Sequence, residues 1–238
     1  MKCLIIAAGR GSRFGARPQS KPLCPVKNRA LIEWVILAAR QAGIQDFVVV
    51  TGYAGETLER HLRTFSKENA ISISFVHNAE WEKENGLSVY KARDRVGEKF
   101  VLLMSDHIFD AGILSRLMAQ PLQPDELMLA VDFQVQDHPT ADLDDVTKVL
   151  AKDGKISMIG KKIETYNAFD TGVFLCTAAI FRALEETQKT GDFSLTGGIR
   201  TFIEGGKAKV MDVKGAFWID VDDENAVARA ENLLALHA

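Results

Sequence analysis

The first 22 residues, MKCLIIAAGRGSRFGARPQSKP, constrain this chain more than any other stretch. The apolar run Leu4-Ile5-Ile6-Ala7-Ala8 stops abruptly at Gly9-Arg10-Gly11-Ser12-Arg13, and Lys21-Pro22 follows within the same loop. A short apolar run ending in glycines is the pattern of a buried strand that feeds a loop. Glycine lets the backbone turn tightly and approach a ligand closely, so that its N–H groups can point at phosphate oxygens. Arg13 and Lys21 add positive charge where those phosphates would lie. The loop therefore reads as a nucleotide site.

Two common phosphate loops fail against it. The dinucleotide fingerprint G-x-G-x-x-G requires Gly or Ala at position 14, which is Phe14, and Gly15 is out of register. The P-loop requires a second glycine directly before a Lys-[Ser/Thr] pair, whereas Lys21 is preceded by Ser20 and followed by Pro22. What remains is A-A-G-x-G-x-R followed by K-P.

Composition sets outer limits. A chain of 238 residues with 47% hydrophobic residues can bury a large core, and its length suggests one domain. A net charge of −3 gives no reason to expect a nucleic-acid partner. No apolar stretch approaches the ~20 residues that span a bilayer, so membrane insertion is not expected. The amino terminus is itself a strand and lacks the pattern of a secretion signal. Cys3, Cys24 and Cys176 are odd in number and far apart, which fits reduced thiols and a cytoplasmic location.

Periodicity orders the rest. Helical spacing covers residues 30–42, 54–65 and 88–96, and apolar strands cover 47–50, 71–76 and 100–104. Alternating strands and helices predict a doubly wound, Rossmann-like α/β fold built on a mostly parallel sheet. Ligands of such sheets lie outside the carboxyl ends of the strands, where Gly9, Asn78 and Ser105 all fall. The second half changes character. Strands at 127–133, 146–151, 156–159 and 170–176, with a hairpin signal at Asp153-Gly154, predict a mixed or antiparallel extension. Helices at 178–187 and 195–204, a strand at 207–213 and a terminal helix at 222–236 capped by Asp222 complete the chain. The expected organisation is one domain over 1–238, with a nucleotide-binding half (1–125) and an acceptor-binding half (126–238).

Ser105-Asp106-His107 directly follows an apolar strand, and Trp218-Ile219-Asp220-Val221-Asp222 precedes the last helix. Magnesium prefers one or two carboxylates together with phosphate oxygens and water, which Asp106 and Asp220 can supply. Asp106 alone also suits a turn or cap, and Asp222 suits a helix cap better than a ligand. His107 reads as a hydrogen-bonded neighbour and stays outside the ligand set.

Taken in order, the loop at 9–22, Asp106, Asp170-Thr171-Gly172 and Trp218-x-Asp220 resemble the sugar-phosphate nucleotidyltransferase superfamily, a GT-A-like group of NTP transferases. The resemblance extends over essentially the whole chain. Within it, Glu84-Asn85-Gly86-x-Ser88, Ser105-Asp106-His107, Thr147-Lys148, Ile159-Gly160-Lys161 and Trp218-x-Asp-Val-Asp look most like inositol-1-phosphate cytidylyltransferases, which make CDP-inositol from CTP. The resemblance implies that Ala7, Ala8, Gly9 and Gly11 contact the nucleotide through their backbone, and that Asn85, Gly86 and Ser88 lie near its base or ribose. It implies that Arg13 and Lys21 neutralise phosphate, that Asp106 and Asp220 bind Mg2+, and that Lys148, Lys161 and Thr171 face the acceptor. The expected partners are small molecules, an NTP and a phosphorylated alcohol. Phosphocholine or a sugar 1-phosphate remains an alternative acceptor, with UTP, dTTP or GTP as an alternative donor. A nucleotide-sensing module without turnover is a further alternative. Some relatives of the inositol enzyme are fused to a membrane transferase, so a separate membrane CDP-alcohol phosphotransferase is expected to use the product.

Overall fold

The Leu4–Ala8 run becomes the centre of the molecule. The computed structural model describes residues 1–11, 20–136, 138, 143 and 145–236. Strand β1 (Lys2–Ala7) is followed by a short hairpin of β2 (Pro25–Val26) and β3 (Arg29–Ala30), then α1 (Leu31–Gln41), β4 (Asp46–Thr51), α2 (Gly55–Asn69) and β5 (Ser72–His77). Next come α3 (Asn85–Lys91), β6 (Lys99–Met104), β7 (His107–Phe109), α4 (Ala111–Met118) and β8 (Leu127–Asp132). The remainder is β9 (Lys148–Lys152), β10 (Lys155–Gly160), β11 (Ala168–Thr177), α5 (Ala179–Lys189), α6 (Leu195–Glu204), β12 (Ala208–Asp212), β13 (Trp218–Asp220) and α7 (Glu224–Leu236).

Nine of these strands form one sheet in the order β5-β4-β1-β6-β11-β8-β12-β10-β9. β1 is parallel to both β4 and β6, and β5 is parallel to β4, which is the expected doubly wound half. The sheet turns mixed at β11, antiparallel to β6 and β8, while β12 is parallel to β8. The β9–β10 hairpin turns on Asp153 and Gly154, both at positive φ (51° and 74°), the conformation a two-residue type I′ turn requires.

Alternation along β1 sends side chains to two separate cores. Cys3, Ile5 and Ala7 pack with Ile32 and Ile36 of α1, Leu58 and Leu62 of α2, and Ile113 and Leu117 of α4. Leu4, Ile6 and Ala8 pack on the other face with Val89 of α3, Ile180 and Leu184 of α5, and Ile199 and Phe202 of α6. Each fully buried large apolar side chain contributes about 1.5–3 kcal/mol, so these two layers dominate the stability. A third, smaller cluster joins Val26, Leu31, Ile108, Ile219, Val221 and Ala230, and so docks α7 and the β7–β13 ribbon against the start of α1.

This packing fixes the functional edge. β1, β4 and β6 run parallel, so their carboxyl ends open on one side. Backbone bonds lace the loops there: Tyr53 N–H to Ala8 O (2.9 Å), Ser105 N–H to Ile6 O (3.3 Å) and Val221 N–H to Asp106 O (2.9 Å). Two expectations from sequence are corrected. The third helix starts at Asn85 and ends at Lys91, earlier at both ends than the 88–96 spacing predicts, because Asn85 Oδ1 is used by the Leu195 amide (3.0 Å) and Glu84 precedes the first turn. The last helix is capped by Asp223, whose Oδ1 accepts from Ala226 N–H at 2.6 Å, which frees Asp222 for another role. Among the described residues no helix is long and apolar enough to cross a membrane.

Candidate active site

Two cavities lie along this edge and meet. The first, about 330 Å3, is lined by Ala7, Ala8, Gly9 and Gly11 at the end of β1, by Lys21, and by Trp81, Asn85 and Ser88 opposite. The second, about 240 Å3, is lined by Asp145, Thr147, Lys161, Asp170, Gly172, Trp218 and Asp220. Asn85, Met104, Asp106 and Asp222 border both.

Glycine chemistry shapes the first cavity. Gly11 sits at φ +67°, and a Cβ there would lie 2.5 Å from Lys21 Cβ, so the bare backbone is what lets Lys21 pack against it. A Cβ on Gly9 would meet nothing within 4 Å, which leaves that stretch of backbone open to the cavity. Ser88 is buried and its hydroxyl accepts from Asn78 Nδ2 at 3.0 Å.

A cluster of charge stands between the cavities. Lys21 is carried by a short 3-10 turn, Lys21–Leu23, with Pro22 setting its φ. Its Nζ lies 2.6 Å from Asp106 Oδ2 and also donates to Asp222 Oδ1. Burial opposes its charge, but Asp106, Asp222 and Asp220 outweigh burial and raise its pKa above the ordinary lysine range. Burial likewise pushes Asp106 up, yet Lys21 and His107 overcome it and hold that carboxyl well below the usual range. His107 Nδ1 is 2.8 Å from Asp106 Oδ1 and 3.7 Å from Asp220 Oδ1. Burial lowers its pKa, but Asp220, Asp106 and Asp170 together lift it to about 9, so the ring is an imidazolium at neutral pH. Asp220 moves the other way. Burial raises it to about 7, His107 partly offsets this, and the neighbouring Asp106 and Asp222 add repulsion.

The donor set fits a hard cation. Asp220 Oδ1 is a buried carboxylate oxygen without a hydrogen-bond partner among the described residues. Ligand atoms within 4.8 Å of one another group Asp220 with Asp106 and His107 on one side, and with Asp145 and Asp222 on the other. Anionic oxygens facing one another with one oxygen unsatisfied are what magnesium-like ions prefer. The acidic groups here can therefore hold a metal ion.

The structure brings Lys21, Asp106 and Asp220 together, although they are separated by as many as 199 residues in the chain. It places Lys161 in the second cavity, 2.6 Å from Asp145. Three expected residues sit elsewhere. Thr171 is fully buried, and its hydroxyl donates to Ala130 O at 2.8 Å, because alternation along β11 turns Asp170 and Gly172 to the cavity and Thr171 to the other face. Lys148 stretches over the Tyr166 ring, 5.4 Å from its centroid, and lines neither cavity. Gly86 serves packing: a Cβ there would lie 2.6 Å from the backbone of Ser194, so glycine lets α3 touch the start of α6. Arg13 lies outside the described residues. Sequence reasoning missed His107, Asp145 and Asp222 as members of the cluster. Asp222 was signalled by its place two residues beyond Asp220.

Gly172 makes as close a contact in the second cavity as Gly11 makes in the first. It sits at φ +73°, and a Cβ there would fall 2.5 Å from the His107 ring. Gly172→Ala is expected to cut turnover by at least ~10-fold through displacement of His107 and Asp106, and to cost about 1–3 kcal/mol of stability for the strained backbone. Steady-state kinetics beside a melting curve check it. Full activity would show that the His107 position is immaterial.

Comparison with known proteins agrees with this geometry. Residues 3–194 match the MobA-like NTP transferase domain. The chain is 32% identical over 235 residues to the "Bifunctional IPC transferase and DIPP synthase" of Thermococcus kodakarensis, covering 98% of this chain and 50% of that one. It is 31% identical to the protein of the same description from Aquifex aeolicus, covering 97% of this chain and 51% of that one. This chain thus spans about half the length of those relatives. The fold resembles that of the inositol-1-phosphate CTP transferase from T. maritima, with a TM-score of 0.84 and 23% identity over 97% of this chain and 96% of that one.

Proposed function

We propose, since the chain belongs to the MobA-like NTP transferase domain family, that it is a cytidylyltransferase that condenses CTP with a phosphorylated alcohol, inositol 1-phosphate foremost, to give a CDP-alcohol and pyrophosphate. The observation that carries this reading is the meeting of two cavities across one charged cluster. One is lined by open backbone, as a nucleotide requires, and the other by Lys161, Thr147 and Thr196. The names of the Thermococcus, Aquifex and T. maritima proteins point to the same acceptor. A quaternary ammonium acceptor such as phosphocholine would favour a box of aromatic faces. Among its described lining residues the second cavity offers two aromatic rings, Trp218 and Phe174, beside five carboxylates, His107 and Lys161; this is no aromatic box, and Lys161 gives the phosphate of a polyol a cationic partner.

The chemistry follows from the charges. A phosphate oxygen of the acceptor attacks the α-phosphorus of CTP, a new P–O bond forms, and the bond to the β-phosphate oxygen breaks to release pyrophosphate. That attacking phosphate has a second pKa of about 6 and is largely dianionic at neutral pH, so no general base is needed. The barrier is the approach of two anions. Lys21 supplies fixed positive charge from the nucleotide side, and Lys161 holds the acceptor phosphate. The backbone at Ala7, Ala8, Gly9 and Gly11 seats the nucleotide, with Asn85 and Ser88 on its base or ribose side. Mg2+ held by Asp106 and Asp220 would stabilise charge on the phosphates, and ordering the reactants contributes the rest. A CDP-alcohol phosphotransferase would then consume the product.

The test is a pyrophosphate-release screen of CTP, UTP, dTTP, ATP and GTP against phosphorylated alcohols and sugars. CTP with inositol 1-phosphate is expected to give the highest kcat/KM. No release from CTP with any acceptor, or a clear preference for another nucleotide, overturns the reading.

A further inference from the structure

Behind the second cavity lies a buried polar unit that the proposed chemistry does not use. Asp132, the last residue of β8, is only 3% exposed. Its Oδ1 accepts from Gln134 N–H at 2.9 Å. Its Oδ2 receives two further groups, Trp218 Nε1–H at 2.8 Å and His138 Nε2 at 2.9 Å. A carboxylate can only accept, so His138 presents Nε2–H here. The His138 ring stands edge-on to Phe169 (5.7 Å between centroids) and lies tilted against Trp218 (5.3 Å).

The burial of this carboxylate has no evident stability rationale of its own. Replacing a buried charge with apolar packing is commonly neutral or stabilising. What distinguishes Asp132 is the cavity wall it fastens. Trp218 lines the second cavity and stands two residues from Asp220 on the same face of β13. His138 shares the same carboxylate oxygen and packs against the Trp218 ring. One oxygen therefore holds both the indole of the strand that carries Asp220 and the imidazole that supports it.

We propose that Asp132 is a positioning residue for the acceptor: by holding Trp218, with His138 packed behind it, on a single carboxylate oxygen it fixes the indole wall of the second cavity, and with it the fit of the polyol phosphate. Burial raises the Asp132 pKa, but the donors from His138, Gln134 and Trp218 outweigh burial and keep the group a carboxylate. Asp132 borders neither cavity itself, so its effect is transmitted through the groups it holds. The inference rests on the reading of the second cavity as the acceptor site.

Asp132→Asn preserves shape but leaves one accepting oxygen for three donors. With CTP and inositol 1-phosphate as substrates, the acceptor KM is expected to rise about tenfold or more, while the KM for CTP stays within about twofold. A general loosening of the fold would move both constants together. Trp218→Phe keeps an aromatic ring but removes the N–H together with the five-membered half of the indole, and is expected to raise the acceptor KM in the same selective way. The double variant should cost less than the two single effects multiplied, because both remove one hydrogen bond. If Asp132→Asn does not fold, Trp218→Phe carries the same split. An acceptor KM unmoved in a folded variant, or parallel rises in both KM values, overturns the proposal. A wild-type protein that never turns over inositol 1-phosphate fails at the cavity assignment instead and takes this inference with it.

Discussion

Lys21→Ala is expected to lower kcat at least ~100-fold, the scale set by deleting one preorganised electrostatic stabiliser, and at the same time to tighten the binding of a divalent ion in the absence of nucleotide. The two effects have opposite sign for one reason. Lys21 Nζ lies 2.6 Å from Asp106 and also bonds Asp222, so the ammonium neutralises the oxygens that a metal ion would use. Without nucleotide, lysine and metal ion compete for them. On the proposed reading, the triphosphate of bound CTP would offer Lys21 new anionic partners, and both cations would serve one reaction. Removing the lysine therefore relieves the competition and loses the catalysis. Titration with Mn2+ followed by electron paramagnetic resonance reads the first effect, and pyrophosphate release reads the second. A kcat within about threefold of wild type would remove Lys21 from the reaction. Weaker Mn2+ binding would show that the lysine organises the carboxylates instead of occupying them.

That pairing explains how much of the molecule was legible beforehand. Lys21 and Asp106 both stood out because each follows directly on an apolar strand or its glycine loop, and parallel strands bring such ends to one edge. Helices with an apolar stripe, such as α1 and α6, were equally plain, since their burial shows every three or four residues. Position-specific errors arose where one residue type has two local uses. Asp222 precedes a helix and so resembles a cap, yet the neighbouring Asp223 takes that task and Asp222 turns to Lys21. Thr171 lies between two cavity-facing residues of β11, so alternation points it the other way, into the bond with Ala130; the motif Asp170-Thr171-Gly172 did not say which of its members faces the cavity. Asn85-Gly86 has the composition of a ligand loop, but the glycine is spent on contact between α3 and the backbone before α6. Asp145 lies in a polar stretch without periodicity, so nothing local marked it, and it meets Lys161, just past the end of β10, as an ion pair. His107 was discounted as a neighbour of Asp106, although being its hydrogen-bonded neighbour is what places it in the cluster.

The second large effect is expected at Asp106. Asp106→Asn should abolish metal-dependent turnover across the whole titration range, because an amide keeps the shape of the carboxyl and gives up its charge. The change reaches further than one ligand. Asp106 lies against both Lys21 and His107, at 2.6 and 2.8 Å, and its negative charge holds both cations together with Asp222 on Lys21 and Asp220 beside His107. His107 is lifted to about 9 against the opposing effect of burial by Asp220, Asp106 and Asp170 together. Loss of the Asp106 charge should therefore lower the His107 pKa toward its ordinary value while leaving Asp220 to hold the ring. The sign is fixed: a carboxylate stabilises the imidazolium, so its neutralisation makes the proton easier to lose. Proton-detected NMR of the His107 ring reports this independently of catalysis. An unchanged metal titration would refute the role of Asp106 in holding the ion. A shifted histidine with intact turnover would separate the electrostatic network from the reaction it surrounds.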